Sequence, residues 1–162
     1  MSQSTVFIRI RHPSIDPQEI SDELGVEPLH AWAAGSARAV VEDGSVRRMH
    51  PDTYWFGCLS GPELLPSIAA RWLVAARSDR ATLRRQLSVA IRLAAVTLRL
   101  KPRKPFLERI VREGGTCDLV VSVSAQDAQN LELPPEALRA LAELQLTLVI
   151  ELAAGSDRGA AE

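Results

Sequence analysis

The sequence predicts a single α+β domain: a mixed, largely antiparallel sheet with helices mainly on one face. Three observations predict it. Thr5 to His12 alternates at the period of a half-buried strand, with Val6, Ile8 and Ile10 on one side and Phe7, Arg9 and Arg11 on the other. A fully punctuated helix follows at once. Strand-like and helix-like segments then interleave to the end of the chain, with a hairpin and an irregular connection among them. A ferredoxin-like strand order is one arrangement this succession admits.

The helix after the first strand spans residues 16–24. Asp16 is placed to cap it, Pro17 suits the first helical position, and Glu19 stands three residues after the cap. Ile15 and Ile20 can close a hydrophobic staple, Gly25 can end the helix in the left-handed conformation, and Pro28 stops it from resuming. Residues 29–53 read as irregular, with two extended pieces flanking Asp43-Gly44, a hairpin turn signal. Thr53 to Ser60 reads as a strand ended by Gly61-Pro62. Residues 63–76 and 80–100 have helical periodicity, and in the second Leu83, Leu87, Ala90, Ile91, Ala94 and Leu98 line one stripe. Phe106 to Arg112 forms a short helix closed by Gly114-Gly115. Leu119 to Ser124 is a strand, Pro134-Pro135 opens a helix to Leu144, and Leu146 to Leu152 is the last strand. Residues 1–152 therefore make one domain, with 153–162 a flexible tail.

Composition sets the class. With 46% apolar and 24% charged residues in 162, the chain can build a core without disulfides or metal. Two isolated cysteines, Cys58 and Cys117, favour a reducing compartment, and no signal-like or membrane-spanning run is apparent, so a cytoplasmic location is expected. Charge is segregated: residues 1–76 carry 6 basic and 9 acidic residues, 77–112 carry 11 and 2, and 113–162 carry 2 and 9. A basic helical region at 77–104 thus lies between acidic flanks, with Arg85, Arg92 and Arg99 seven residues apart on one face and Arg103 beyond them.

The run Val6-Phe7-Ile8-Arg9-Ile10, then Asp16-Pro17-x-Glu19-Ile20 and Leu24-Gly25-x-x-Pro28, resembles the bacterial domain-of-unknown-function family numbered 4279. Gly35, Trp55 and the closing pattern Leu133-x-Pro135-Glu136-x-Leu138 through Leu144-x-Leu146-x-Leu148 are similar too, and the likeness covers roughly residues 5–152. Ala34 departs from the basic residue often found before that glycine, and the basic region looks like an enlargement. The resemblance implies a compact α+β domain with no established activity and supplies no catalytic residue.

The residues themselves favour binding over chemistry. His12, His30 and His50 lack metal-ligand spacing and read as hydrogen-bonding histidines of loops and strand ends, so no metal or cofactor is expected. Gly57-Cys58-Leu59-Ser60-Gly61 has leucine where a nucleophile elbow needs serine. Gly114-Gly115 follows a helix and precedes a strand, the reverse of a phosphate-binding order. No catalytic residue is assigned. His30, Trp32 and Arg38 on the turn-rich connection, with Trp55 on the strand after it, form a candidate binding set. The basic face of Arg85, Arg92, Arg99 and Arg103 is either solvated or paired with the acidic C-terminal third, within one chain or across a homodimer. The leading expectation is a non-enzymatic protein-interaction module, binding itself or an immunity-type partner. The alternatives are nucleic-acid binding through the basic helix at 80–104, and a small-ligand or enzymatic pocket at the Trp/Arg loop.

Overall fold

The structure, a computed structural model, describes residues 5–40, 46–59, 80–124, 128 and 131–153, with side chains described for these apart from 38–40, 46–48, 80–88, 124 and 153. In chain order the elements are β1 (Thr5–His12), α1 (Pro17–Leu24), β2 (Pro28–Trp32), β3 (Ala37–Val40), β4 (Val46–Met49), β5 (Thr53–Cys58), α2 (Arg80–Leu100), a 3-10 turn (Lys101–Arg103), α3 (Lys104–Arg112), β6 (Thr116–Ser124), α4 (Pro135–Glu143) and β7 (Thr147–Ala153). The expected helix at 63–76, Ser60 with Gly61, the Asp43-Gly44 turn and residues 154–162 of the expected tail lie outside the described residues, while Ala153, expected in the tail, ends β7.

The main sheet has the order β2-β5-β1-β6-β7, and β3 pairs with β4 as a separate hairpin. β1 lies antiparallel to both β5 and β6, β2 antiparallel to β5, and β7 parallel to β6. Strands β1, β2, β5 and β6 therefore form two interlocked split β-α-β units. In one, β5 separates parallel β1 and β2; in the other, β1 separates parallel β5 and β6. This is the ferredoxin-like arrangement, extended by α4 and β7 at one edge.

Alternation along the strands sorts residues to the two faces. Val6, Ile8, Ile10, Trp55, Cys117, Leu119, Val121 and Val123 share one core with Ile20 and Leu24 of α1, Val89, Leu93, Val96 and Leu100 of α2, and Phe106, Leu107 and Ile110 of α3. Leu141 and Leu144 from the α4 end join the same core. All four described helices thus feed the core on one side of the sheet, as the α+β reading requires.

Local signals explain several boundaries. Asp16 Oδ1 accepts from the Gln18 N–H at 2.8 Å, capping α1. Gly25 closes α1 at φ 63°, with its N–H donated to Ser21 O at 2.8 Å. Glu19 turns to Arg109 of α3, fastening α1 to α3. Thr53 is fully buried: its hydroxyl donates to Ile15 O at 2.7 Å and accepts from the Ala34 N–H at 3.0 Å, so one side chain fixes the turns at both ends of α1-β2.

Two readings change. Residues 28–32 form the strand β2, although Pro28-Leu29-His30-Ala31-Trp32 has no clean alternation. Its extended form comes from pairing with β5, a tertiary effect. The core stripe of α2 is Val89-Leu93-Val96-Leu100, whereas Leu98 is 55% exposed. This helix is apolar on more than one side, because Ile91 and Ala95 are also buried and α2 meets α4 as well as the sheet. Periodicity alone could not choose between those sides. No helix among the described residues is long and apolar enough to cross a membrane.

Candidate binding face of the sheet

The sheet face opposite the helices carries rings where a solvent face normally carries polar groups. On β5, Tyr54, Phe56 and Cys58 point to this side and are half-buried, between the fully or nearly fully covered Thr53, Trp55 and Gly57 of the core side. Register brings their neighbours alongside: Tyr54 lies opposite Arg11 and Trp32, Phe56 opposite Arg9 and His30, and Cys58 opposite Phe7. Trp32 stacks on Tyr54 with ring centroids 4.3 Å apart, and on His50 at 4.6 Å. Phe56 stacks on Phe7 at 5.0 Å and on His30 at 6.4 Å. The Arg11 guanidinium lies 6.0 Å from the Tyr54 ring centre. The product is a strip of rings in two stacked groups, Phe7-Phe56-His30 and Tyr54-Trp32-His50, across β2, β5 and β1, with Arg11 and His30 exposed.

The base of the β3-β4 hairpin builds one end of this strip. Gly35 donates its N–H to His50 O at 2.8 Å, and His50 returns its own N–H to Ser36 O at 2.9 Å. That exchange holds the His50 ring on Trp32. The indole Nε1–H of Trp32 is shielded from solvent and has no acceptor. An unsatisfied buried donor of this kind costs about 1–3 kcal/mol, so the strip holds unspent hydrogen-bonding capacity.

Charge on the face is largely internal. Arg9 Nε and Nη2 both lie 2.9 Å from Asp118 Oδ2, and its Nη1 lies 4.0 Å from Glu151. Arg11 is the strip's exposed cation.

The sequence-derived candidates scatter. His30 and Trp32 stand side by side on this face. Arg38 lies on β3 with its side chain outside those described. Trp55 is on the opposite face, fully buried, its Nε1–H donated to Ser21 Oγ at 3.0 Å. Its ring lies over Gly57, where an added Cβ would meet it at 2.3 Å. Trp55 is therefore a core residue and does not join Trp32. Phe7, Arg11, His50, Tyr54 and Phe56 were missed. The available signal was aromatic residues at the outward positions of two strands whose inward positions were already apolar.

Among the described side chains of the basic region, Arg99, Arg103 and Arg109 reach α1 or the residue that ends it. Arg99 Nη2 reaches Gly25 O at 3.4 Å, Arg103 Nη1 lies 3.8 Å from Glu23 Oε2, and Arg109 bonds Glu19. Arg92 is half-buried, and the Arg85 side chain is outside those described. His12 is buried at the end of β1; its Nδ1 accepts the N–H groups of Ser14 and Ile15 at 3.1 and 2.9 Å. Its proton then sits on Nε2, 3.2 Å from Glu113 Oε2 but out of line for a good hydrogen bond. That is a structural histidine, holding the turn into α1. Burial, aided by Asp118, pushes the Cys117 thiol up to about 12, which leaves it protonated and unreactive at neutral pH. Among the described residues no group of three or more His, Cys, Asp or Glu converges on a metal position.

No curated protein and no solved structure gives a significant match to the chain. The family model described as Domain of unknown function (DUF4279) matches residues 2–155, nearly the whole chain and the same span as the motif resemblance. The chain belongs to the DUF4279 family.

Proposed function

We propose that this domain is a non-enzymatic interaction module that binds another protein through the sheet face opposite its described helices. The observation that carries the reading is the strip of stacked rings at Phe7, Phe56, Tyr54 and Trp32, flanked by exposed Arg11 and His30. Aromatic residues and arginine are the side chains that protein interfaces concentrate. The rings are held in place before binding, so little side-chain entropy remains to be lost. A partner suited to this face presents aromatic or apolar side chains to the strip and a carboxylate to Arg11. An immunity-type interaction would use a surface of this kind.

The test is co-purification from the native host with a tagged wild-type chain, compared with Arg11→Ala and Trp32→Ala, and with Arg92→Ala/Arg103→Ala on the helix side. A partner retained by wild type and by the helix-side variant but lost by the two sheet variants supports the reading. Equal retention by all variants contradicts it.

One observation favours a second reading. Aromatic residues on a ferredoxin-like sheet are a surface on which single-stranded RNA bases stack. Two features weigh against it: the rings stack on one another, and Arg9 is neutralised by Asp118. Tryptophan fluorescence during titration with single-stranded oligonucleotides at low salt separates the two. Salt-sensitive quenching that Trp32→Phe abolishes would transfer the face to nucleic acid.

A further inference from the structure

The two edges of the main sheet are built differently. The β2 edge begins on Pro28 and shifts register between Pro28 and His30, both devices that blunt an edge strand against further pairing. The β7 edge has neither. Thr147–Ala153 runs without proline or lysine and pairs with β6 in unbroken register over its whole length. Its helix-side residues continue the core ladder: Leu148 neighbours Leu119, Ile150 neighbours Val121, and Leu152 neighbours Val123. Leu119, Val121 and Val123 are at most 1% exposed, whereas Ile150 is 43% and Leu152 64% exposed. The core surface therefore continues one strand beyond its helical cover.

We propose that β7 pairs with β7 of a second copy of this chain, antiparallel about a two-fold axis at Ile150, joining two sheets into one. The identity of the occupant comes from symmetry. A two-fold interface must be complementary to itself, and this strand is. With Ile150 facing Ile150, Leu148 faces Leu152 of the second copy and Thr147 faces Ala153, so the helix-side stripe meets apolar residues at every step. The strand's one charge, Glu151, faces Val149 rather than another Glu151, and it lies 4.0 Å from Arg9 of its own chain. A foreign strand would need no such palindromic pattern. This pairing is independent of the proposed sheet-face partner, because it uses the edge and the helix-side residues.

Light scattering after size exclusion tests it. The wild-type chain is expected at twice its 17.7 kDa. Ile150→Lys is expected to halve the mass while keeping cooperative unfolding, and Leu98→Lys, at an exposed site on α2, to leave the dimer intact. Cross-linking decides the matter even if Ile150→Lys fails to fold. Residues facing each other on the axis lie roughly 5 Å apart at Cα, within disulfide reach. In a Cys58→Ser background, Ile150→Cys is expected to link to itself under mild copper-phenanthroline oxidation, and Thr147→Cys to stay unlinked. A wild-type monomer throughout the micromolar range overturns the proposal. So does a dimer that survives Ile150→Lys and gives no Ile150→Cys link.

Discussion

Strand β5 displays two chemistries on its two sides. On the helix side Trp55 is fully buried, lies over Gly57 and donates to Ser21; the whole of its environment is supplied by this chain. One residue away on either side, Tyr54 and Phe56 face outward, half-buried, and the described groups beside them are other rings, Arg11 and Arg9. Core packing accounts for the first set. It does not account for the second, which lies outside the core built with the described helices. The difference separates residues that this core explains from residues that it does not.

The largest expected effect lies on the core side. Trp55→Ala is expected to lower unfolding free energy by roughly 3–5 kcal/mol, as truncation of a buried aromatic does. Tyr54→Ala, losing cross-strand stacking, is expected to cost about 1 kcal/mol or less. Urea denaturation of both variants checks this, and equal losses would break the distinction between the faces. Gly57→Ala comes next, at about 1–3 kcal/mol, because the new methyl group must displace the Trp55 ring. Trp32→Phe is smaller still: the indole N–H has no acceptor to lose, so thermal stability is expected to stay within about 1 kcal/mol of wild type.

The cysteines sharpen the same contrast. Cys58 lies on the outward side and Cys117 on the core side, 2% exposed. Iodoacetamide at neutral pH is expected to label Cys58 and spare Cys117, as mass spectrometry of the peptides would show. Ionisation of the Cys117 thiol leaves folding unaffected at neutral pH and acts only in alkali. Its thiol is raised from an ordinary 9.0 to about 12 in the folded chain, so between those values the unfolded chain has lost a proton that the folded chain keeps. Stability therefore falls as pH rises through that window. Cys117→Ala is expected to flatten that part of the pH profile, and an unchanged slope would show that the thiol is not held protonated.

Much of the fold was legible because its signals are local. Asp16, Pro17 and Gly25 bound α1 by backbone chemistry that needs no distant neighbour, and the alternation of Val6, Ile8 and Ile10 marks the core side of β1. β2 was illegible because Leu29, His30 and Ala31 become a strand only through pairing with β5. The α2 stripe was misplaced because sheet and α4 each bury a side of that helix. Part of the candidate set is explained by strand parity: His30 and Trp32 share one face of the sheet, whereas Trp55, close to them in sequence, is sent to the other face. Among the described side chains, Arg103 and Arg109 meet α1 and Arg99 meets the residue that ends it, an element remote in sequence that no charge count along the chain could reveal.

The central claim is that the ring-bearing face, and not the helix layer, meets a protein. Position-resolved photo-crosslinking in living cells tests it most directly, with a benzoylphenylalanine at exposed His30 on the sheet face or at exposed Arg112 on α3. The account predicts a discrete protein adduct from position 30 that Arg11→Ala abolishes, and none from position 112. An adduct from position 112 with silence at position 30 would contradict it.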